Sequence, residues 1–326
     1  MTVSKGFAPS RGPEEQAAAA GAVAALTAVL DAGLAMPGAA QTAAPFLPAL
    51  TEPARGVQAV LLYGSVLWAP IRGVTSHPDF IVVVDSARGW HRGLSDRLWG
   101  AVLPPSVYCL RMGEAQSKVS VVTAGELIAQ TSAGASDLHL AGRLSKRVAL
   151  VWWRDAQARQ RIIDAQRAAL ETMARLALSR FQGSVELDSF LLALLGLSYE
   201  SEVRIVEPGK VASLFEVERD HYRVVGRALL AALGAVPLDG GGGRFSLPPG
   251  VAAAPAEAGR RLRRSRRRAY LRWPKYLATY DGWLDYLVQK LERSGGTVAL
   301  SERQRRHPLI FALPVLYRMF RTRRVR

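Results

Sequence analysis

Short runs of apolar and β-branched residues, bounded by glycine, proline and serine, recur through the first half of the chain and predict β-strands. These runs are Val57 to Tyr63, Asp79 to Asp85, Ser106 to Met112 and Lys118 to Thr123. Between the second and third runs, the spacing from Trp90 to Val102 predicts a helix. Strands with few helices between them indicate a mixed sheet, so we expect an α+β core in this part of the chain.

From Asp155 onward the apolar spacing becomes helical. It predicts helices over Ala168 to Arg180, Leu187 to Tyr199 and Tyr222 to Leu233. The run Gly240 to Gly243 interrupts this pattern and predicts a flexible turn. Two later helical patterns carry many arginines, and they extend over Pro255 to Leu291 and Arg303 to Phe320.

An alanine-rich pattern from Pro13 to Gly33 predicts a first helix, followed by a loose, proline-containing connection that ends near Pro53. At 326 residues and 49% hydrophobic composition, the chain can bury a core and suggests about two domains. We therefore expect an N-terminal helix and linker (1–53), a sheet-based core (54–153), a helical second domain (154–240) and a basic helical tail (244–326).

The positive charge is concentrated near the end of the chain. The formal net charge is +16, and Arg260 to Arg326 contains 19 Lys and Arg against 4 Asp and Glu. This excess predicts an anionic partner, either nucleic acid or an acidic membrane surface. The apolar stretch Pro308 to Phe320 is followed by arginines and contains Pro314, so it suits a helix that lies on a membrane without crossing it.

Two observations bear on location. The apolar run Ala17 to Leu30 is shorter than the roughly 20 residues that cross a bilayer, so an amphipathic helix is expected there. The single cysteine, Cys109, excludes a disulfide within the chain and is compatible with a reducing compartment. We find no secretion signal. The chain is therefore expected to be cytoplasmic and attached peripherally to the inner face of the membrane.

A Gly-Ser pair, Gly64-Ser65, closes the first predicted strand, and Asp79 opens the second. Small residues let backbone N–H groups approach a triphosphate, and the Ser65 hydroxyl adds a donor or a metal-facing oxygen. A carboxylate on the next strand can hold a divalent cation beside those phosphates. The pattern is typical of nucleotidyltransferases, although a simple strand-ending turn would also explain Gly64-Ser65.

In the usual form of this motif two carboxylates alternate as Asp-x-Asp and bridge two cations from one face of the strand. Here the tripeptide is His77-Pro78-Asp79. Either His77 replaces the first carboxylate, or Asp79 is the first and Ile81 replaces the second. Asp85 cannot share a metal with Asp79, because six residues of strand separate them by roughly 20 Å.

These residues and three later motifs resemble the mitochondrial-type phosphatidate cytidylyltransferases, the translocator assembly and maintenance protein family of CDP-diacylglycerol synthases. The resemblance covers about Gln58 to Arg223. The residues that carry it are Tyr63-Gly64-Ser65, Asp79-Phe80 with Val84-Asp85, Trp90-His91, Leu140 to Lys146, and Leu197-Ser198-Tyr199 with Arg204, Glu207, Lys210 and Val211.

The resemblance implies a polymerase-beta-like nucleotidyltransferase domain, a helical, winged-helix-like domain and a basic C-terminal segment that meets the membrane. It implies the conversion of CTP and phosphatidate into CDP-diacylglycerol and pyrophosphate with Mg²⁺. Gly64 and Ser65 would hold the CTP phosphates, and Asp79 would hold the metal. The residues themselves leave His77 open as a second metal ligand, a hydrogen-bond partner or a plain loop residue. The remaining residues that it implicates are Lys118, Arg143 and Lys146 at phosphate, and Tyr199, Arg204 and Lys210 on the substrate side.

Other interpretations stay open at this point. Arg143 and Lys146 could instead cap a helix end in solvent, and Tyr199 could be a core aromatic. Ser201-Glu202 stands where the family has Gly-Asp, and Arg147 where it favours proline, which indicates a distant, bacterial-type relative. The alternative functions are an RNA- or DNA-binding or end-modifying protein of the nucleotidyltransferase fold, and a degenerate member without turnover.

Overall fold

The computed structural model describes residues 12–67, 77–91, 93–113, 115–202, 209–279 and 300–306, together with Leu284 and Val288. Its centre is a mixed sheet of five strands in the order β3-β4-β2-β1-β5. The strands are β1 (Val57–Tyr63), β2 (Asp79–Val84), β3 (Ser106–Met112), β4 (Ala115–Thr123) and β5 (Val148–Trp153). The α+β class expected from the sequence is confirmed.

The register of the sheet brings two of the predicted site residues, Asp79 and Lys118, next to each other. β2 runs parallel to β4, and Asp79 is paired with Lys118. β1 runs antiparallel to β2, so that Tyr63, its last residue, lies opposite Asp79. β1 and β2 are buried along almost their whole length, which explains why they read as continuous apolar runs.

The predictions for this half of the chain differ from the structure in four places. β2 ends at Val84, and β4 begins at Ala115, ahead of the predicted Lys118. The predicted helix from Trp90 is divided, because a 3-10 turn ends at Trp90 and α4 begins at Leu94. β5 was not predicted, since a short apolar run without alternation does not distinguish a strand from a buried helix.

Helices cover both the sheet and its ends. The segment predicted as a loose connection contains two short helices that bury Ala39, Ala43 and Leu50, and Phe46 packs on Phe80 of β2 with ring centroids 5.6 Å apart. The helices in this half are α1 (Pro13–Gly33), α2 (Ala39–Ala43), α3 (Leu47–Leu50), α4 (Leu94–Val102), α5 (Ala124–Thr131) and α6 (His139–Leu144).

The second half combines helices with a small antiparallel sheet in the order β6-β8-β7. The helix predicted over Ala168 to Arg180 begins earlier and ends earlier. The predicted turn at Gly240 to Gly243 joins β7 to β8. The elements in chain order are α7 (Ala156–Leu178), β6 (Ser184–Glu186), α8 (Leu187–Glu200), α9 (Lys210–Val217), α10 (Arg219–Ala232), β7 (Val236–Pro237) and β8 (Arg244–Ser246).

The basic segment forms the long helix α11 (Pro255–Thr279), and a short helix α12 (Glu302–Arg306) follows. One side of α11 is fixed to the rest of the protein by buried polar groups. Lys275 donates to the carbonyls of Leu103 and Pro105 at 2.8 and 2.9 Å. Arg272 is also buried and pairs with Asp137. The rest of the two predicted basic helices lies outside the described residues, apart from Leu284 and Val288.

Helix α1 is, in the described part of the chain, the helix whose length and apolar composition would suit a membrane span. The whole helix is longer than the apolar run considered from the sequence. It packs on α10 and α7 and buries Leu26 and Leu30. Much of the rest of the helix is exposed, and the expectation of an amphipathic helix that does not cross a membrane stays a prediction.

The buried carboxylate of Asp137 gives a test of how α11 is held. Asp137 accepts from Arg268 at 3.1 Å and pairs with Arg272. Asp137→Asn leaves the buried guanidinium without a counter-charge, so we expect the free energy of unfolding to fall by about 3 kcal/mol in urea denaturation. The exposed pair of Glu216 and Arg219 is the control, and Glu216→Gln should cost less than about 1 kcal/mol. Equal effects of the two variants would contradict this account.

Candidate active site

The turn after β1 presses directly against the carboxylate of Asp79. Gly64 has a φ of 89°, a conformation that suits glycine. A Cβ built on Gly64 would lie 3.0 Å from Oδ2 of Asp79. Any larger residue would therefore displace the carboxylate or strain the turn, and the Gly-Ser pair and the acidic residue form one local site.

Two further residues border this site. Ser65 is exposed and begins a 3-10 turn that ends at Leu67. Lys118 is the partner of Asp79 on β4, and its N–H donates to the carbonyl of Pro78 at 3.0 Å. Residues paired across neighbouring strands project to the same face of a sheet. A cationic and an anionic side chain therefore stand next to each other beside the turn.

A second group of polar residues belongs to α6 and its C-terminal end. His139, Arg143 and Lys146 are spaced by four and three residues, so they lie on one face of the helical segment. All three are buried. Gly142 allows α8 to come close, because a Cβ there would lie 3.3 Å from Cα of Ser198. The cations of this segment are thus enclosed by α8 and are not caps exposed to solvent.

Glu202, just beyond α8, supplies the carboxylate of this group. Its Oε1 lies 3.0 Å from Nδ1 of His139, and its Oε2 accepts from Nη2 of Arg143 at 3.2 Å. Burial alone would raise the pKa of Glu202, but the charge of Arg143 and the contact with His139 outweigh it and hold the pKa at about 2. Burial lowers the pKa of His139, so the contact is a hydrogen bond from a neutral imidazole.

Lys146 is the most perturbed cation in the group. Burial, reinforced by the charges of Arg143 and Lys210, lowers its pKa to about 7. Its Nζ stands 4.5 Å from the centroid of the Tyr199 ring, in the position of a cation–π contact. The amine is therefore held where its charge is only partly compensated at neutral pH.

One contact and one electrostatic interaction connect the α6 group with the residues around the turn. The guanidinium of Arg143 lies 5.2 Å from the ring centroid of Tyr63, the residue before Gly64. The charge of Lys118 contributes to the lowered pKa of His139. The two groups therefore form one cluster, which we call the cationic cluster: Gly64, Ser65, Asp79, Lys118, His139, Arg143, Lys146, Tyr199, Glu202 and Lys210.

The cationic cluster is chemically suited to a ligand that carries several negative charges. The cluster contains two carboxylates, Asp79 and Glu202, and four cationic side chains, Lys118, Arg143, Lys146 and Lys210. Arg143, Lys146 and Glu202 are buried. Taking a cation out of water is costly unless an anion compensates it. A bound polyphosphate would supply that compensation and would also raise the pKa of Lys146.

Most of the site residues predicted from sequence are brought together in this cluster. His77 is exposed immediately before β2, and Lys210 is exposed at the start of α9. Arg204 lies outside the described residues. His139 was not predicted, although its spacing to Arg143 and Lys146 on one helix face was a visible signal. Glu202 was noted only as a departure from the family, and its partners are distant in sequence.

The described residues contain no group of three or more histidine, cysteine, aspartate or glutamate side chains that could hold a metal. The turn offers one carboxylate, Asp79, and the hydroxyl of Ser65. These are the hard oxygen ligands that Mg²⁺ accepts, and Mg²⁺ commonly takes its other ligands from phosphates and water. The donor set therefore fits a Mg²⁺ that arrives with a nucleotide.

A scan of the chain against protein-family models and a search of curated proteins both return no match. The resemblance to the phosphatidate cytidylyltransferases therefore stays a hypothesis that rests on the residues named above.

The perturbed lysine gives a pH-dependent test. The pKa of Lys146 is about 7 in the folded protein against an ordinary value of 10.5, so the unfolded chain binds more protons between these two values. Stability should therefore rise with pH in that window, by about 1 kcal/mol per unit. Lys146→Met should remove this slope between pH 7.5 and about 9.5 in urea denaturation. Lys210→Met, at an exposed lysine, is the control and should retain the slope. A slope shared by Lys146→Met and the unmodified protein would contradict the buried-amine account.

Proposed function

We propose that the protein is a phosphatidate cytidylyltransferase that converts CTP and phosphatidate into CDP-diacylglycerol and pyrophosphate at a membrane surface. The observation that carries this proposal is the approach of the Asp79 carboxylate to Gly64 within a cluster of cations. A nucleotidyltransferase needs a carboxylate for the metal, a turn of small residues for the phosphates and positive charge for the leaving group.

The order of elements supports the finer fold assignment. The five-stranded mixed sheet, with the Gly-Ser turn after β1 and the acidic residue at the start of β2, has the motif arrangement expected of a polymerase-beta-like nucleotidyltransferase domain. In the second half, helix α7 is followed by β6, then by helices α8 to α10 and by the hairpin of β7 and β8, and β6 pairs with β8. This order is compatible with a winged-helix-like domain and supports that part of the proposal.

The proposed reaction requires no nucleophile from the protein. An oxygen of the phosphatidate phosphate attacks the α-phosphorus of CTP, and the bond from that phosphorus to the oxygen that bridges the β-phosphate breaks. The electron pair leaves with pyrophosphate. Gly64 and Ser65 would position the triphosphate, while Lys118, Arg143 and Lys146 would neutralise charge on the attacking and departing phosphates.

The metal in this proposal is Mg²⁺, which would neutralise charge on the phosphates when bound. Asp79 would be its carboxylate ligand. His77 is two residues earlier and exposed, so it stays a candidate for a second ligand or for a hydrogen bond to phosphate. The Gly64 turn would keep the Asp79 carboxylate at a fixed position.

On the substrate side, the ring of Tyr199 contacts Nζ of Lys146. The charge of Lys210 helps to lower the pKa of Lys146. We assign Tyr199 and Lys210, with Arg204, to the side of the site that receives phosphatidate. Glu202 supplies a carboxylate where the family has aspartate. It would hold Arg143 in place for phosphate, so the departure from the family motif retains the charge.

Membrane attachment is assigned to the outward side of α11. Arg260, Arg263, Arg264 and Arg267 are exposed and recur at helical spacing, so they share one face. Near anionic lipid each contributes about 1 kcal/mol, which would hold the protein on the inner face of a bacterial-type membrane from the cytoplasm.

The same arginine face favours a second candidate function, an RNA- or DNA-binding nucleotidyltransferase. Tyr270, beside the arginines, is exposed and could stack on a base. A flotation assay with anionic vesicles in competition with RNA separates the two. Retention on RNA alone at physiological salt would favour nucleic acid over lipid.

Turnover is the direct test. Purified protein is incubated with labelled CTP, Mg²⁺ and phosphatidate, and CDP-diacylglycerol is measured together with pyrophosphate. Asp79→Asn should lower the rate by about 10²–10³-fold, the scale for loss of a charge-stabilising group. Asp155→Asn, an exposed aspartate at the start of α7, is the matched control and should stay near the unmodified rate. Absence of product under conditions where a known enzyme works would indicate a degenerate, non-catalytic member.

Binding of CTP should be coupled to uptake of a proton. At pH 8 the amine of Lys146, with a pKa of about 7, is mostly neutral, and a triphosphate would favour its charged form. Calorimetry in two buffers of different ionisation enthalpy should give an uptake of up to about one proton. Lys146→Arg keeps the charge without titrating, so it should bind CTP with no uptake. Equal uptake by this variant would exclude Lys146 as the titrating group.

A further inference from the structure

Helix α4 presents an apolar stripe to solvent on one side of the sheet. Leu94, Leu98 and Val102 are spaced by four residues, and 75%, 69% and 63% of their surfaces are exposed. Residues at this spacing lie on one helix face. Single exposed leucines are ordinary, but a continuous apolar stripe on a surface helix marks a contact with a partner or with lipid.

Helix α11 borders this stripe. Nη2 of Arg268 donates to the carbonyl of Val102 at 3.1 Å, which fixes the end of α4 against α11. Leu271 and Arg264 lie one helical turn to either side of Arg268, and both are exposed. The apolar stripe therefore continues towards Leu271 and is flanked by a cation. This arrangement is typical of a surface that lies at a membrane interface.

A cavity of about 550 Å³ opens on the adjoining side of α4. Its lining includes Arg88, His91, Arg97 and Glu126. Glu126 already accepts from the N–H of Thr123 at 2.8 Å as part of a helix cap. The two arginines outnumber the single carboxylate in this lining, so the cavity carries a net positive charge that suits an anionic group.

The cavity is distinct from the cationic cluster. It lies beyond the end of β2, near Ser86, whereas Asp79 begins that strand. The lining also includes Val121, which is paired with Val82, three residues along β2 from Asp79. An odd spacing along a strand places side chains on opposite faces of the sheet, so the cavity and the Asp79 carboxylate lie on different faces.

We propose that α4 is a second membrane contact of this protein: its apolar stripe enters an anionic bilayer, and the cavity beside it takes the phosphate headgroup of one phospholipid. Leu94, Leu98 and Val102 supply apolar area, and Arg88 and Arg97 supply the charge complementary to the phosphate. The inference rests on the proposed function only in requiring a membrane, and it adds a lipid site away from the reaction centre.

The test is flotation of the full chain with vesicles of phosphatidylcholine, alone or mixed with phosphatidylglycerol, in the absence of nucleotide. Leu94→Asp combined with Leu98→Asp should lower binding to anionic vesicles by at least about tenfold, because two apolar side chains lose their favourable transfer. Arg88→Ala combined with Arg97→Ala should lower binding to anionic vesicles by about 25-fold, because each cation near an anionic surface contributes about fivefold. Binding of this variant to neutral vesicles should equal that of the unmodified protein.

Matched controls lie elsewhere on the surface. Leu238 is 57% exposed and Arg244 is exposed, both in the β7–β8 hairpin, so Leu238→Asp and Arg244→Ala should bind as the unmodified protein does. Circular dichroism and thermal unfolding verify that each variant is folded. Equal effects of the α4 pair and Leu238→Asp would overturn the proposal.

Three other outcomes would also overturn it. A fall in molecular mass by light scattering in the Leu94 and Leu98 variant would make the stripe a contact between two copies. Loss of RNA binding without loss of vesicle binding would make the surface a nucleic-acid site. Competition by inorganic phosphate at low millimolar concentration, with no dependence on vesicles, would make the cavity a free-phosphate site. Flotation of Asp79→Asn should equal that of the unmodified protein, so failure of turnover is separable from failure of this proposal.

Discussion

The antiparallel pairing of β1 with β2 is the constraint on which the rest of the site depends. It places the last residue of one strand opposite the first residue of the other, and so brings the Gly64 turn onto the Asp79 carboxylate. A register slip of one residue would turn Asp79 to the opposite face of the sheet. The parallel pairing of β2 with β4 fixes the same point from the other side, since Lys118 donates to the carbonyl of Pro78. Proline has no N–H of its own, so this carbonyl is its backbone hydrogen-bonding group.

The cationic cluster has an energetic cost that a ligand would remove. A buried amine with a pKa near 7 is a group that folding has placed in an unfavourable environment. Functional sites commonly retain such groups because their charge is stabilised by the substrate and not by the protein. Glu202 limits the cost by pairing with Arg143 and by attracting Lys146, yet burial and the neighbouring cations still lower the pKa of Lys146 to about 7. The remaining charge is the reason why the proposed ligand is a polyphosphate and not a neutral molecule.

The sequence predicted the local parts of this arrangement and missed the long-range ones. Gly64 and Asp79 were found because a small-residue turn and an acidic strand start are local signals, and β1 and β3 were placed at their observed bounds. β5 was missed since its apolar run has no period that separates strand from helix. Glu202 was not recognised as a partner because it lies 59 residues from Arg143, and no local pattern records such a contact.

The arginine-rich segment illustrates why composition alone gave an incomplete picture. Its charge predicted a surface for an anionic partner, yet part of that charge is used inside the protein. Arg272 and Lys275 are buried and bind Asp137 and backbone carbonyls, while Arg263 and Arg267 face outward. A helix that presents one basic face outward and fixes the other to the core transmits any membrane contact directly to the sheet. Since α11 holds the segment from Val102 to Ser106, which begins β3, a lipid surface bound to α11 would also set the orientation of α4 and its cavity.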